Sequence, residues 1–454
     1  MRLIRIGVAS VSVKVGDFDG NGARLRAVIE AALEKGCHLL VTPELATCGY
    51  SLEDRIWWPD IAQQSWGSIE DLAPLCKGMA VFIGLPVRMD ALMYNASALI
   101  YEGSVRGLIL KRHLPTYSIF YEGRNWAPWL GGVTEHRGVP AGDLVFRLPF
   151  GNVTGEICED LWAADSPARG RVLAGAEIVC NGSASPFTPL KSVQRRRLVQ
   201  GVAEHLACVY AYANLVGCDS SRLVFDGGGF IATPDGIVAE GKPLTRGPWA
   251  LTTGDVDLED VVRLRAENST WREDAVRGVA REGVLFVEVT EGGYTPSPLA
   301  DYVAQMPAHF FMPSDEAERE AFLDELFDGL VLGLRDYFEK VGVFRRFLVA
   351  LSGGRDSALC LLLAVHAAKA LGGGREAERY AERVSTVYLA HKDYSSGATQ
   401  SVARALAEEL GVAFQVVSIG EEAELALAKA AELVGGEEKV TAIARQNLQA
   451  RVRG

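Results

Sequence analysis

The strongest constraint on the fold is a glycine turn that joins an apolar strand to an apolar helix. Residues 347–351 are apolar and strand-like, and they lead into Ser-Gly-Gly-Arg-Asp-Ser at 352–357. The apolar run that follows predicts a helix over 356–370. Glycine lets the backbone approach a ligand, and the N–H groups that open a helix attract an anion. The sequence therefore predicts a βα unit with an anion site at its turn.

The chemistry of this turn suits a polyphosphate. The pattern is not G-x-x-x-x-G-K-[ST], which excludes the common P-loop. It resembles the S-G-G-x-D-S pyrophosphate loop of the ATP pyrophosphatases, and a plain glycine turn in a βα unit is the alternative. The resemblance implies ATP and Mg²⁺ as ligands. The carboxylate of Asp356 is the expected contact to the metal. The expected ATP-binding residues are Ser352, Gly353, Gly354, Asp356 and Ser357.

A second group of candidate residues lies upstream, and it contains a glutamate, a lysine and a cysteine. Glu44 follows an apolar strand that ends in Thr-Pro, Lys111 opens the segment Lys-Arg-His-Leu-Pro-Thr-Tyr, and Cys158 ends a short strand after the turn at 150–152. A thiol becomes a good nucleophile only when it loses its proton. Glu44 can accept that proton, and Lys111 can stabilise the thiolate and a later oxyanion. Taken singly, a glutamate or lysine is usually a surface charge and a cysteine usually packs as a small apolar residue.

These contexts resemble the carbon–nitrogen hydrolase (nitrilase) superfamily, whose triad is Glu, Lys and Cys. The resemblance implies Glu44 as base, Lys111 as oxyanion partner, Cys158 as nucleophile and Glu122 as a fourth acidic residue near the triad. The segments Lys-x-x-Leu-Pro-Thr-Tyr, Phe-Tyr-Glu and Glu-Ile-Cys-Glu-Asp-Leu-Trp further resemble the glutaminase domain of glutamine-dependent NAD⁺ synthetases. That narrower resemblance implies three glutamine-binding residues, although a polar loop is the alternative for the last two: Tyr117, Ser185 and Lys191.

The order of the two sites matches the same family. It implies hydrolysis of glutamine in the first domain and ATP-dependent amidation of deamido-NAD⁺ in the second, with Asn447 contacting deamido-NAD⁺. The family continues beyond the segment 447–453 into T-G-N-K-S-E, and no T-G-N occurs in this sequence. We therefore expect a C-terminally incomplete synthetase domain. Three alternatives remain: an amidase with a vestigial second domain, another amidotransferase of the pyrophosphatase class, and a non-catalytic scaffold.

The pattern of apolar runs predicts an α/β protein with two domains. Strand-like runs alternate with helical ones over residues 1–291, and the resemblance makes this an αββα-sandwich nitrilase-like domain. Residues 234–292 are expected to be tail and wrapping segments of that domain. Four prolines and a Gly-Gly pair mark 292–314 as a connector. Residues 315–454 predict a doubly wound parallel-sheet ATP-pyrophosphatase domain, with strands near 347–351, 384–389 and 413–418 between helices near 315–340, 356–370 and 398–410.

Ser395 and Ser396 follow the second of these strands. They are expected either to touch the nucleotide or to cap the next helix.

The charge, the apolar runs and the cysteines indicate which partners and which cellular location to expect. The formal net charge of −12 argues against nucleic-acid binding. No apolar run reaches the length of a membrane span. The eight cysteines are scattered without a C-x-x-C pair, which argues against zinc or a disulfide framework and favours a reducing, cytoplasmic setting. The expected partners are small-molecule substrates, and the superfamily resemblance implies a homo-oligomer.

Overall fold

The computed structural model describes residues 1–219, 222–277, 283–305, 312–371, 374–391 and 397–453. The contacts divide the chain into two units, Met1–Met306 and Pro307–Gly454. The division falls within the expected connector, of which 306–311 lie outside the described residues. Ser395 and Ser396 also lie outside them, so the two expected roles of these serines stay predictions.

Unit 1 alternates strands and helices along the chain. Its strands are β1 (Leu3–Val11), β2 (Leu39–Val41), β3 (Ala80–Met89), β4 (Leu92–Tyr101), β5 (Ser104–Leu110), β6 (Val133–His136), β7 (Val139–Gly142), β8 (Leu144–Leu148), β9 (Gly151–Ile157), β10 (Ile178–Ser183), β11 (Val209–Asn214), β12 (Val216–Cys218), β13 (Val224–Asp226), β14 (Phe230–Thr233), β15 (Gly236–Glu240), β16 (Trp249–Asp257) and β17 (Leu285–Glu288). Its helices are α1 (Phe18–Glu34), α2 (Pro59–Leu72), α3 (Glu122–Asn125), α4 (Pro167–Ala174), α5 (Lys191–Leu206), α6 (Leu258–Glu267), α7 (Ser269–Val276) and α8 (Leu299–Gln305). Short 3₁₀ segments are Glu53–Trp57, Ala73–Leu75 and Cys158–Leu161.

Two sheets dominate this unit. Within the described residues, an eight-stranded sheet has the order β16-β1-β2-β3-β4-β5-β7-β6 and a seven-stranded sheet has the order β15-β14-β11-β10-β9-β8-β17. The strands β1, β2 and β3 are parallel to one another, and so are β9, β10 and β11. Parallel neighbours end at the same edge, so the loops that follow β2, β9 and β10 can be brought together.

The apolar side chains place the sheets face to face. One buried cluster combines residues of both sheets, such as Ile6 and Phe82 from the first with Val153 and Ala211 from the second. A second cluster packs α1 and α2 against the outer face of the first sheet, and a third packs α4 and α5 against the outer face of the second. The layers therefore follow the order α, β, β, α, as the resemblance to the nitrilase superfamily implies.

Helix α1 shows how the local sequence supports this arrangement. The side chain of Asp17 caps its start by accepting a hydrogen bond from the N–H of Gly20 at 3.1 Å. Its apolar residues recur at helical spacing and are buried against the sheet: Leu25, Val28, Ile29 and Ala32.

Unit 2 is a smaller α/β layer. Its strands are β18 (Phe347–Ala350), β19 (Val384–Ala390) and β20 (Ala413–Ser418), and its helices are α9 (Glu316–Val341), α10 (Arg355–Ala370), α11 (Gly397–Glu409), α12 (Gly420–Val434) and α13 (Ala442–Arg453). Short 3₁₀ segments are Gly374–Arg383 and Glu437–Lys439. The strands pair in parallel in the order β18-β19-β20. This confirms the predicted alternation of parallel strands and helices. No helix in the described part of the chain combines the length and apolar character needed to cross a membrane.

Two local features differ from the sequence analysis: one strand was missed, and the polar-loop alternative for Lys191 is wrong. The segment expected to be a tail contains β16, which pairs antiparallel with β1 along its full length. Its sequence, Trp-Ala-Leu-Thr-Thr-Gly-Asp-Val-Asp, is half polar because it forms a partly exposed edge strand, and this weakened the apolar signal. Lys191 does not lie in a polar loop, because it is the first residue of the long helix α5.

Two glycines let the segment after β2 pass between the sheets. A Cβ at Gly182 of β10 would lie 2.6 Å from the carbonyl oxygen of Thr42, and one at Gly84 of β3 would lie 2.4 Å from the backbone nitrogen of Leu45. Real Cβ atoms essentially never come this close to another heavy atom, so any larger residue would displace this segment. Because Glu44 lies between Thr42 and Leu45, the two glycines determine its position.

We predict that Gly182→Ala destabilises the protein and impairs the function of Glu44. Overpacking of this kind typically costs about 1–3 kcal/mol. The matched control is Gly201→Ala in α5, where a Cβ would meet nothing within 4 Å. The control should be stabilised by about 0.5–1 kcal/mol, since alanine favours a helix over glycine. Thermal melting of both variants provides the measurement, and equal melting temperatures would contradict the close-packing argument.

Candidate active site

The site lies where several strands of the two sheets end. Glu44 follows β2, Lys111 follows β5, and Cys158 follows β9 as the first residue of a 3₁₀ turn. Glu122 is the first residue of the short helix α3. All four side chains are buried, with Glu44 and Lys111 each 1% exposed.

Lys111 joins the two acids. Its Nζ donates to Oε1 of Glu44 at 2.7 Å and to Oε1 of Glu122 at 2.7 Å. The side chains of Glu44 and Lys111 are fully shielded from solvent, and that of Glu122 is almost so. In this environment the ammonium cannot exchange its partners for water, so its position is determined by the two carboxylates.

Glu44 has further partners that orient its carboxylate. The side-chain amide of Asn95 donates to Oε1 at 2.7 Å, and the backbone N–H of Ala184 donates to Oε2 at 2.9 Å. Asn95 belongs to β4 of the first sheet, whereas Ala184 follows β10 of the second. The expected base is therefore held from both sheets.

Glu122 borders a pocket. Its Oε1 also accepts a hydrogen bond from the hydroxyl of Tyr50 at 2.6 Å, whereas its Oε2 is buried without a partner among the described residues. Tyr50 and Glu122 both line a pocket of about 250 Å³. Two other lining residues, Ser51 and Asn125, also have a buried side-chain oxygen that no described residue bonds. The pocket wall therefore suits a small polar guest such as water.

Burial controls the protonation of this cluster. Burial alone would lower the pKa of Lys111, but the charges of Glu122 and Glu44 outweigh it and raise that pKa well above the usual value. Burial raises the pKa of Glu122 to about 7. The positive charge of Lys111 lowers this pKa, and the negative charge of Glu44 raises it further. One ammonium thus lies between two acids, of which Glu122 can hold a proton near neutral pH.

Cys158 is held in an unusual backbone conformation. Its φ of +47° lies in the left-handed region, which a residue with a Cβ rarely adopts. Such strain at a strand-to-helix corner is typical of a nucleophile that the backbone presents to its substrate. Burial raises the pKa of the Cys158 thiol, as does the charge of Glu44, while the charge of Lys111 acts in the opposite direction. The raised pKa keeps the thiol protonated near neutral pH.

Asp160 ties the nucleophile to the lysine. One carboxylate oxygen accepts from the backbone N–H groups of Arg112 at 3.2 Å and His113 at 2.8 Å. The other accepts from the N–H of Ile157 at 3.1 Å. The loop after Lys111 and the corner at Cys158 are therefore joined by one buried side chain.

The residues expected to bind glutamine have different surroundings. Tyr117 is exposed and donates its hydroxyl to Glu159 at 2.9 Å, and both residues line an open cleft of about 580 Å³. Lys191 is half-buried, with its Nζ 6.0 Å from the ring of Phe120 and 5.9 Å from that of Trp162. Burial lowers the pKa of Lys191, and the nearby Cys158 acts in the opposite direction.

Ser185 is buried, and its N–H donates to the side-chain oxygen of Asn214 at 2.8 Å. It directly follows Ala184, which contacts Glu44. The structure therefore places Ser185 beside the Glu44–Lys111–Glu122 cluster, whereas Tyr117 lies in the open cleft.

The glycine loop of unit 2 is open and internally bonded. The N–H of Ser352 donates to Oγ of Ser357 at 3.2 Å, and that hydroxyl in turn donates to the carbonyl of Gly354 at 2.9 Å. Gly353 has a φ of +83°, and a Cβ there would lie 2.4 Å from the carbonyl oxygen of Thr399 at the start of α11. Only glycine fits this position, so the loop backbone is fixed against α11.

Asp356 lies in the first turn of α10, and the cap of that helix is Gly354 without a side-chain cap bond. A capping role for Asp356 is thus not supported. The described residues contain no cluster of three metal-binding side chains. A single carboxylate fits Mg²⁺, which is commonly held by one or two carboxylates together with substrate phosphates. Asn447 lies exposed on α13, which packs on α12.

Sequence reasoning missed the residues that support the cluster. Tyr50, Asn95 and Asp160 bond to the site or to its loops, but none had been assigned a role. Asp160 alone gave a signal, because it lies within the segment Glu-Ile-Cys-Glu-Asp-Leu-Trp. For Tyr50 and Asn95 no local pattern marks the contact.

Comparisons with known proteins agree with both units. The carbon–nitrogen hydrolase family model matches residues 5–266, and the NAD synthase model matches residues 326–454. A glutamine-dependent NAD(+) synthetase of Aquifex aeolicus is 30% identical over 424 residues, which cover 92% of this chain and 66% of that protein. One of Thermotoga maritima is 29% identical over 460 residues, which cover 100% of this chain and 71% of that protein.

A solved structure supports the fold. The crystal structure of a glutamine-dependent NAD(+) synthetase from Cytophaga hutchinsonii matches with a TM-score of 0.52 at 24% identity. The match covers 99% of this chain and 71% of that one. This chain therefore spans about two thirds of the length of the relatives it matches.

We predict that Glu122→Gln changes how stability depends on pH. The pKa of Glu122 is raised from 4.5 to about 7, so between these values the folded protein holds a proton that the unfolded chain releases. The contribution of Glu122 to stability therefore falls as pH rises through this window and is constant above it. Melting temperatures of wild type and variant, compared from about pH 5 to about pH 8, should show the difference changing below pH 7 only.

The control for this comparison is Glu53→Gln, an exposed acid on the wall of the same pocket. The difference between its melting temperature and that of the wild type should not change with pH. A Glu122→Gln curve that is also parallel would show that Glu122 does not hold the proton.

Proposed function

The chain belongs to the carbon–nitrogen hydrolase family, and on that premise we propose that it hydrolyses glutamine and uses the ammonia to convert deamido-NAD⁺ into NAD⁺. The observation that carries the proposal is the buried Glu44–Lys111–Glu122 cluster beside Cys158, followed in the same chain by a glycine loop suited to a polyphosphate. The glutamine-dependent NAD(+) synthetases that the chain resembles along its length support the choice of substrates.

In unit 1, the thiol of Cys158 attacks the side-chain amide carbon of glutamine. Glu44 accepts the thiol proton as the carbon–sulfur bond forms, which suits a thiol whose raised pKa keeps it neutral at rest. The proton then passes to the departing nitrogen, and the carbon–nitrogen bond breaks to release ammonia. Water hydrolyses the remaining thioester, with Glu44 again as base, and glutamate leaves.

Lys111 contributes the fixed positive charge in this reaction. Its ammonium is held by two carboxylates and shielded from water, so it need not reorganise when negative charge develops on the substrate oxygen. Glu122 balances that charge and, through Tyr50, links the lysine to the pocket wall. Lys111 is therefore both the anchor of the cluster and the expected oxyanion partner.

Glutamine would bind through groups at the mouth of this site. We assign Tyr117, Ser185 and Lys191 to that role. Lys191 supplies a half-buried cation suited to the substrate carboxylate, and Tyr117 lies in the adjoining cleft beside Glu159. Ser185 follows the backbone group that orients Glu44.

In unit 2, ATP would activate the nicotinate carboxyl of deamido-NAD⁺. That carboxylate attacks the α-phosphorus of ATP and releases pyrophosphate, and ammonia then attacks the mixed anhydride to give NAD⁺ and AMP. The loop residues Ser352, Gly353, Gly354 and Ser357 would hold the phosphates, and Asn447 would contact deamido-NAD⁺. Mg²⁺ would neutralise the phosphate charge, with Asp356 as its protein contact. We also propose a homo-oligomer in the cytoplasm.

We predict that Cys158→Ala abolishes glutamine hydrolysis and leaves NAD⁺ formation from ammonium chloride intact. The reason is that Cys158 and the glycine loop belong to separate units. Glutamate release and NAD⁺ formation are measured with each nitrogen source, and Cys48→Ala, which changes another buried cysteine of unit 1, is the control.

Three results would contradict parts of this proposal. Glutaminase activity in Cys158→Ala would exclude that residue as the nucleophile. Loss of both activities in a folded variant would show that the two reactions are not independent. Wild-type protein that hydrolyses glutamine but forms no NAD⁺ from either nitrogen source would favour the amidase with a vestigial second domain.

We predict that Asp356→Ala weakens Mg-ATP binding by about tenfold or more, because a carboxylate beside phosphates helps binding only through a bridging cation. Its effect on stability should stay within about 1 kcal/mol, the usual contribution of an acid in the first turn of a helix. Glu421→Ala provides the matched control, since Glu421 lies in the first turn of α12. Calorimetry with Mg-ATP is paired with melting curves, and equal ATP affinities in the two variants would reject Asp356 as a metal contact.

A further inference from the structure

A chain of buried hydrogen bonds lies behind Cys158 and plays no part in the mechanism above. The backbone N–H of Cys158 donates to Oδ1 of Asn181 at 3.1 Å. The side-chain amide of Asn181 donates to the hydroxyl of Tyr210 at 3.0 Å, and that hydroxyl donates to Oε1 of Glu156. Ser166 donates to Oε2 of Glu156 at 2.5 Å.

The chain crosses three neighbouring strands. Glu156, Asn181 and Tyr210 belong to β9, β10 and β11, which pair in parallel. All three residues are at most 1% exposed. Buried polar groups without partners are costly, so each of these side chains restricts the orientation of the next.

The direction of the chain is fixed from its Cys158 end. A backbone N–H can only donate, so it requires the oxygen of the Asn181 amide rather than the nitrogen. That orientation turns the NH₂ group towards Tyr210, whose hydroxyl accepts this bond and gives its one proton to Glu156. The backbone of Cys158 is thus linked, through Asn181 on β10 and Tyr210 on β11, to Glu156, which lies two residues before it on β9.

Cys158 requires such support because its own backbone is strained. A residue with a Cβ loses roughly 1–2 kcal/mol in the left-handed region where Cys158 lies at φ +47°. Strained conformations persist only where the surroundings hold them. The bond from Asn181 acts on the backbone that precedes the side chain and so determines where the thiol points.

From this arrangement we propose that Asn181, held by Tyr210 and Glu156, is the positioning residue for the nucleophile. It keeps the Cys158 thiol aimed at Glu44 and the substrate carbon, and its Oδ1 accepts the bond from the Cys158 N–H. The proposal rests on the proposed amidase function only in naming glutamine as the substrate. Misplacement of a reacting group by about 1 Å can cost a hundredfold in rate.

The test compares Tyr210→Phe with Tyr101→Phe. Each change removes one buried hydroxyl, but the hydroxyl of Tyr101 has no hydrogen-bond partner in the described structure. We expect Tyr210→Phe to lower kcat for glutamine hydrolysis about tenfold to a hundredfold while KM stays within about threefold. Tyr101→Phe should behave as the wild type.

A second readout follows the thiol directly. Alkylation of Cys158 by iodoacetamide is measured by peptide mass spectrometry, and the exposed Cys218 and Cys360 serve as internal references. In Tyr210→Phe we expect slower alkylation of Cys158 and unchanged alkylation of the two references. Asn181→Asp, which keeps the acceptor for Cys158 but loses the donor to Tyr210, should give the same pattern and provides the test if Tyr210→Phe does not fold.

Two outcomes would overturn the proposal. In the first, Tyr210→Phe and Tyr101→Phe have the same kcat and the same rate of Cys158 alkylation. In the second, the activity lost in Tyr210→Phe is fully accounted for by the fraction of unfolded protein, which would mean that these hydrogen bonds only stabilise the fold. A wild-type protein without glutaminase activity would reject the proposed function. The alkylation comparison would still test the role of Asn181, because alkylation does not require glutamine.

Discussion

The buried ammonium of Lys111, held between the carboxylates of Glu44 and Glu122, is the interaction on which the rest of unit 1 depends. Removing three ionisable groups from water is expensive, and the loss of one partner from a buried ion pair typically costs about 3–5 kcal/mol. The cluster therefore tolerates little displacement of the elements that carry it. Two features meet this need for fixed positions. Gly84 and Gly182 leave room for the Glu44 segment between the sheets, and Asp160 joins the Lys111 loop to the Cys158 corner.

The same cluster explains why the nucleophile is kept neutral. A thiolate at Cys158 would add negative charge beside two acids that share one cation, and burial makes that charge more costly still. In the proposed reaction, the proton leaves as the developing charge moves onto the substrate, next to Lys111. The charge distribution thus favours the reaction step over the resting thiolate, which is the pattern expected of a preorganised site.

The sequence predicted those parts of the site that local patterns encode. Glu44, Lys111 and Cys158 each follow a strand, and the apolar runs located β2 and β9 within a few residues but did not locate β5, which leads to Lys111. The supporting residues were missed because their contacts join segments far apart in the chain: Asn95 meets Glu44 across 51 residues, and Tyr210 meets Glu156 across 54. The edge strand β16 was missed for a different reason, since an exposed edge retains polar residues that dilute the strand pattern.

The two units present their expected reactive groups in opposite ways. In unit 1 the charges are buried and bonded before any substrate arrives, so the geometry is set by the fold. In unit 2 the loop is exposed, and Ser352 and Ser357 bond to each other and to the loop backbone. A polyphosphate that bound there would have to replace those bonds with its own, so the loop is organised partly by its ligand. Amide hydrolysis requires fixed charges aligned with a developing oxyanion, whereas a loop that binds a flexible, highly charged nucleotide can keep its backbone fixed and let its serine hydroxyls change partners as the phosphates enter.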